Sequence, residues 1–128
     1  LRRTGFAMAH PEWIVRLFRT VDARDADGFA SFLTDDASFV FANSEPVRGR
    51  EAVREAVAGF FRSIAGLSHD LHATWVHPDA AVTHGRVTYT RHDGSELAVP
   101  FAVVLGLTGD RVRDYRIFMD ASRLYPAV

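Results

Sequence analysis

The hydrophobic repeat of this chain changes period near its middle, from 3.6 residues to 2, and that change restricts what it can fold into. In the first half Ile14, Leu17, Phe18 and Val21 recur at helical spacing, and Pro11 suits a first helical turn. Asp25 can cap a short second helix with Phe29, Phe32 and Leu33 on one side, ended by Asp35-Asp36. Ser38 to Asn43 reads as a strand with Phe39 and Phe41 on one face. After the Ser44-Glu45-Pro46 turn and Gly49, a longer helix carries Val53, Val57, Phe60, Phe61 and Ile64, and Gly66 stops it. Beyond that glycine, Leu67 to His77, Ala81 to Arg91, Glu96 to Leu107 and Arg111 to Asp120 alternate as strands. Pro78-Asp79, His92-Asp93-Gly94 and Thr108-Gly109-Asp110 separate them, and links this short make sequential antiparallel hairpins.

Helices first and an antiparallel sheet afterwards define an α+β class. Long strands twist, and three N-terminal helices suffice to cover one face of a curved sheet, leaving a cone-shaped hollow suited to a small molecule. The chain reads as a single domain over 10–128. Residues 1–9, largely ahead of Met8, read as a flexible leader remnant.

Composition removes several function classes. No cysteine is present, so disulfides and thiolate chemistry are excluded. All fifteen basic residues are arginine, which removes lysine Schiff-base catalysis. A net charge of −1 gives no drive toward nucleic acid, and no apolar run approaches the ~20 residues of a membrane helix. With no secretion signal either, a cytoplasmic location is expected. No glycine-rich nucleotide loop or nucleophile elbow appears, so no cofactor is expected. His69 and His72 sit three apart on a strand and point to opposite faces, so no metal site is expected.

Particular segments carry a family resemblance. Arg24-Asp25-Ala26-Asp27-Gly28, Phe32-Leu33-Thr34-Asp35-Asp36-Ala37 and the run Glu45 to Val53 resemble the nuclear transport factor 2-like superfamily. Asp93-Gly94, Pro100-Phe101 and Ile117-Phe118-Met119-Asp120 continue the match, which spans Ile14 to Tyr125. It is closest to SnoaL-like polyketide cyclases, with ketosteroid isomerases and limonene epoxide hydrolases as cousins. The resemblance implies a cone-shaped curved antiparallel sheet under three helices, a cystatin-like roll, and a homodimer through the outer sheet face. The isomerase base falls on Phe41, its hydroxyl donor on Leu17 and its protonated acid near Ala102. The hydrolase's water-holding pair falls on Phe39 and Phe41, its Arg-x-Asp on Arg86-Val87-Thr88, and its last carboxylate on Ile117. Neither cousin's mechanism is carried over intact.

The same resemblance turns Val82, His84, Arg86 and Thr88 into the hollow, with successive members ~6.6 Å apart. Leu67, His69, Leu71, Ala73 and Trp75 face it from the preceding strand, Tyr115, Ile117 and Met119 from the last, and Phe39 and Phe41 close a wall. On this reading His84 moves a proton and Arg86 holds an anionic group or an enolate oxygen, helped by Thr88 or Tyr115. Phe39, Phe41, His69, Trp75, Thr88, Tyr115, Ile117 and Met119 bind an apolar or aromatic carbonyl-bearing metabolite. His84 can equally be a hydrogen-bonded lining residue, and Arg86 can reach Asp70, Asp120 or solvent. Asp120 reads as a salt bridge or cap for the C-terminal segment. The expected function is therefore a cofactor-independent isomerase, cyclase or lyase. The alternative is a non-catalytic ligand-binding or dimerisation module that has lost the family's acid and base.

Overall fold

The computed structural model describes residues 10–125; the expectation of a leader over 1–9 lies outside them. Helix α1 (Glu12–Asp22) follows Pro11, and α2 (Ala26–Ala30) is capped by Asp25, whose Oδ1 accepts the Gly28 N–H at 2.9 Å. Strand β1 (Leu33–Phe41), the short β2 (Val47–Arg48) and helix α3 (Arg50–Arg62) complete the first half. The long strands follow as β3 (Gly66–His77), β4 (Ala80–Thr90), β5 (Glu96–Thr108) and β6 (Arg111–Met119).

The six strands form one sheet in the order β2-β1-β6-β5-β4-β3. The three predicted hairpins pair antiparallel in sequence order. Strand β1 adds to the far side of β6 in parallel, a pairing the hairpin logic does not reach. It also begins earlier than the sequence pattern suggests: Phe32 and Leu33 leave the helix, and Leu33 opens the strand.

The helices cover one face. Ile14, Leu17 and Phe18 of α1 and Val53, Val57 and Phe61 of α3 are buried against Val87, Phe101, Val103 and Leu105 of the sheet. Each large side chain removed from water in this way contributes roughly 1.5–3 kcal/mol. Strand β3 lies at the sheet edge, where outward N–H and C=O groups lack a neighbouring strand. Side chains from either end of the α1 region take them up. Asp22 Oδ2 accepts the His69 N–H at 3.0 Å, and His10 Nε2 lies 3.1 Å from the Leu71 carbonyl.

A bulge interrupts β3. Leu71 pairs with Gly85, but Ala73 pairs with His84, so His72 is an extra residue. A Cβ on Gly85 would stand 1.9 Å from the Asp70 carbonyl oxygen, so the bulge requires glycine there. Past His72 the strand's facing inverts: Thr74 points in, bonded to the buried Thr83, and Trp75 points out.

Candidate active site

Between the helices and the curved sheet lies an aromatic hollow. Its floor is Phe29, Val103 and Tyr115, and its part-exposed rim includes Phe41, Phe60 and Met119. The void, mouth included, is about 480 Å³, but only about 40 Å³ is open to the centre of a water molecule. One water needs roughly 10–15 Å³ by that measure, so the hollow is narrow but not closed. No arginine or carboxylate lines it among the described residues.

Polar chemistry enters the hollow at few points. His69, on β3, lines it with its ring packed against Phe18 (centroids 4.9 Å apart) and Phe101 (5.0 Å, edge to face), which also touch each other at 6.0 Å. Its Nδ1 lies 2.6 Å from Asp22 Oδ1, while the other carboxylate oxygen takes the His69 backbone N–H. A carboxylate offers only acceptors, so the proton between them sits on Nδ1 and the neutral ring keeps its lone pair on Nε2. Among the described residues Nε2 has no hydrogen-bond partner. Asp22 occupies the last position of α1, where the helix dipole disfavours an acid by roughly 0.3–1 kcal/mol. The pairing with His69 offsets that cost.

Two tyrosines supply the remaining polar atoms. Tyr89 donates its hydroxyl to Met119 Sδ at 3.3 Å, a weak acceptor. Tyr115 packs edge-on against Phe29 at 5.0 Å and beside Phe39 at 5.6 Å. It is 2% exposed, and among the described residues its hydroxyl makes no hydrogen bond. Burial is the first cause pushing both phenols above their ordinary range; Tyr125 adds to it at Tyr89, and Tyr89 and Asp22 add to it at Tyr115.

The structure separates the expected site residues. Phe39, Phe41, His69, Tyr115, Ile117 and Met119 line the hollow. His84, Arg86, Thr88 and Trp75 do not. On β4 the buried set is Ala81, Thr83, Gly85, Val87 and Tyr89, so Val82, His84, Arg86 and Thr88 face outward. The offset is one residue, and in a strand one residue reverses every side chain. Arg86 is exposed, and among the described residues it forms no ion pair, even with Asp70 opposite it in register. His84 stacks on the 60%-exposed Trp75 with rings 12° from parallel, on the solvent side. Trp75 is there because the His72 bulge reverses β3 after Leu71. Asp120 caps a turn, accepting the Ser122 N–H at 3.0 Å. Among the described residues no group of His, Asp or Glu could hold a metal ion, and no helix is long and apolar enough to cross a membrane.

The sequence reading missed Asp22 and Tyr89. Asp22 had a signal: it continues Ile14 and Phe18 at a spacing of four, which puts an acid on the helix's apolar face.

Comparison with known proteins agrees with this architecture. The SnoaL-like domain profile matches residues 14–115. The chain belongs to the SnoaL-like domain family. A solved SnoaL-like neighbour, classed with the polyketide cyclases and from Jannaschia sp. CCS1, is 22% identical with a TM-score of 0.76, covering 88% of this chain and 86% of its own. A protein of ketosteroid isomerase-like fold from Catenulispora acidiphila, solved with trimethylamine, is 15% identical (TM-score 0.79; 86% of each chain covered). Another neighbour classed as a polyketide cyclase, from Xanthomonas campestris, is 11% identical (TM-score 0.78; 87% of this chain and 90% of its own). No curated protein matches the chain. At these identities the neighbours share the SnoaL-like fold, and the chemistry has to be read from this chain's own side chains.

Proposed function

We propose that this SnoaL-like protein is a cofactor-independent enzyme that moves a proton on a small, apolar, carbonyl-bearing molecule. The Asp22–His69 pair at 2.6 Å, whose imidazole lines an aromatic hollow and has no partner at Nε2 among the described residues, carries the reading. Nε2 takes a proton from the carbon next to the carbonyl. The C–H electron pair becomes the enolate double bond, and charge collects on the oxygen. The imidazolium that forms stands beside the Asp22 carboxylate, which stabilises it and holds the ring's orientation. Return of the proton to the same carbon gives exchange, and to another carbon gives isomerisation. Phe18 and Phe101, neighbours of each other, pack against the ring and limit its movement. His84 and Arg86, the residues expected to take these roles, stand outside the hollow on the other face of β4 and have no part in this reading.

Exchange of the methyl hydrogens of acetophenone in D2O, followed by proton NMR, tests the proposal. Exchange above the buffer rate that disappears in His69→Ala is the expected result. An enzyme rate equal to buffer overturns it.

A second reading has its own observation. Asp22 accepts from both the ring and the backbone of His69, so it also ties α1 to the edge strand. A binding module would need no more than that clasp. It predicts a ligand recovered chemically unchanged and an Asp22→Asn variant altered in stability alone.

A further inference from the structure

Among the described residues the Tyr115 hydroxyl is the one hydrogen-bond donor of the hollow without a partner; His69 Nε2, the other unpartnered polar atom, is an acceptor. The Tyr89 hydroxyl is engaged by Met119 Sδ at 3.3 Å, and His69 Nδ1 by Asp22 at 2.6 Å. Tyr115 is 2% exposed and lines the hollow from β6, and its hydroxyl has no partner among the described residues. Buried phenols almost always find an acceptor, so an idle one marks a place where an acceptor arrives from outside. Phe29 and Phe39 hold the ring and limit the directions its hydroxyl can take. With no arginine among the lining residues, an anion entering the hollow would be desolvated without a fixed counter-charge.

We infer that Tyr115 is the specificity-determining donor of the hollow: it hydrogen-bonds a neutral oxygen acceptor, so the ligands taken are uncharged ketones or aldehydes rather than carboxylates. This rests on the proposal that the hollow is a substrate site. It adds which residue reads the substrate oxygen and which charge state is refused. An enolate formed by His69 would develop its negative charge on that same oxygen, where the Tyr115 donor already points.

The test uses the intact chain and three probes of similar size: acetophenone, its near-isostere isopropylbenzene, and benzoate. In calorimetric titration the wild type should bind acetophenone about 2- to 12-fold more tightly than isopropylbenzene, the range for one neutral hydrogen bond. Benzoate should bind most weakly. Tyr115→Phe should bring the ketone-to-hydrocarbon ratio to about one, and Tyr89→Phe should keep it. The melting temperature of Tyr115→Phe should not fall, because the deleted hydroxyl bonds nothing in the free protein. Equal binding of ketone and hydrocarbon by the wild type, a ratio preserved in Tyr115→Phe, or tightest binding of benzoate would each overturn the inference. The two proposals fail separately. If the ratio behaves as stated without methyl exchange, proton transfer is lost and the specificity role stands. If exchange occurs while Tyr115→Phe keeps the ratio, the specificity role is lost alone.

Discussion

On β4, Val87 and Tyr89 face the helices while Arg86 and Thr88, one residue away along the same backbone, face solvent. The wall of the hollow is aromatic, with an imidazole and phenols as its polar groups and no arginine or carboxylate among the described residues. The outer side carries Asp70, His72, His84 and Arg86 around an exposed indole. By residue type alone the outer set looks more catalytic. What it lacks is enclosure: its groups are already solvated, so water competes for every interaction and screens every charge. The inner histidine has less company, but it is held at Nδ1, has no partner at Nε2 among the described residues, and is packed against Phe18 and Phe101. Position, more than inventory, separates a reactive imidazole from an ordinary one.

The most severe challenge to this contrast compares the two histidines. His69→Ala is expected to lower the acetophenone exchange rate by about 10²–10⁴-fold, the usual contribution of a general base. His84→Ala and Arg86→Ala should stay within about twofold of wild type. A collapse of exchange in His84→Ala with His69→Ala unaffected would reverse the assignment.

Stability should divide in the same way. Phe101, 4% exposed and packed on His69 and Phe18, should cost about 3–5 kcal/mol when cut to alanine, read from urea unfolding. Arg86→Ala should change stability by about 0.5 kcal/mol or less. Comparable losses in both would mean that the outer face is packed against something in solution.

Asp22→Asn sharpens the contrast within the inner face. The amide can present its NH2 to Nδ1, which favours the tautomer with its lone pair turned away from the hollow. Exchange should fall on the order of 10- to 100-fold. Binding of acetophenone should be nearly unchanged, because Asp22 stands behind the imidazole. Loss of stability with full exchange would favour the clasp reading.

The smallest effect is alkaline. Burial raises the Tyr89 and Tyr115 phenols in the folded state above their unfolded values near 10. A neutral group with a raised folded pKa contributes fully below the unfolded pKa, and that contribution is lost as pH rises past it. Unfolding midpoints in urea should therefore decline above about pH 10, and the decline should shrink in the Tyr89→Phe, Tyr115→Phe double variant. An equal decline in wild type and double variant would place those phenols in contact with water.

Much of this fold was legible in the chain, for physical reasons. Long alternating strands separated by short Gly- and Asp-bearing links leave few topologies, and each long strand begins and ends within a residue of the pattern. Facing was harder to read. On β4 both alternating sets mix small, polar and apolar residues, so neither side announces itself as core. Gly85, isolated in mid-strand, was the available clue: it marks where β3 bulges and Trp75 turns outward. The Asp22–His69 pair was beyond reach of spacing alone. Asp22 and His69 stand far apart in sequence and meet only because α1 runs along the free edge of β3. The resemblance gave the architecture, and Phe39, Phe41, Tyr115, Ile117 and Met119 do line the hollow. The position-by-position carry-over looked for acids and bases where cousins keep them; the pair proposed here, Asp22 and His69, lies elsewhere.

The side of the sheet that receives a ligand can be observed directly. In a 15N-imidazole NMR spectrum, titration with acetophenone should move the His69 Nε2 resonance while His84 and His72 stay in place. Movement of the His84 resonance with His69 unchanged would contradict the account, because it would put the ligand on the solvent face beside Trp75 and Arg86.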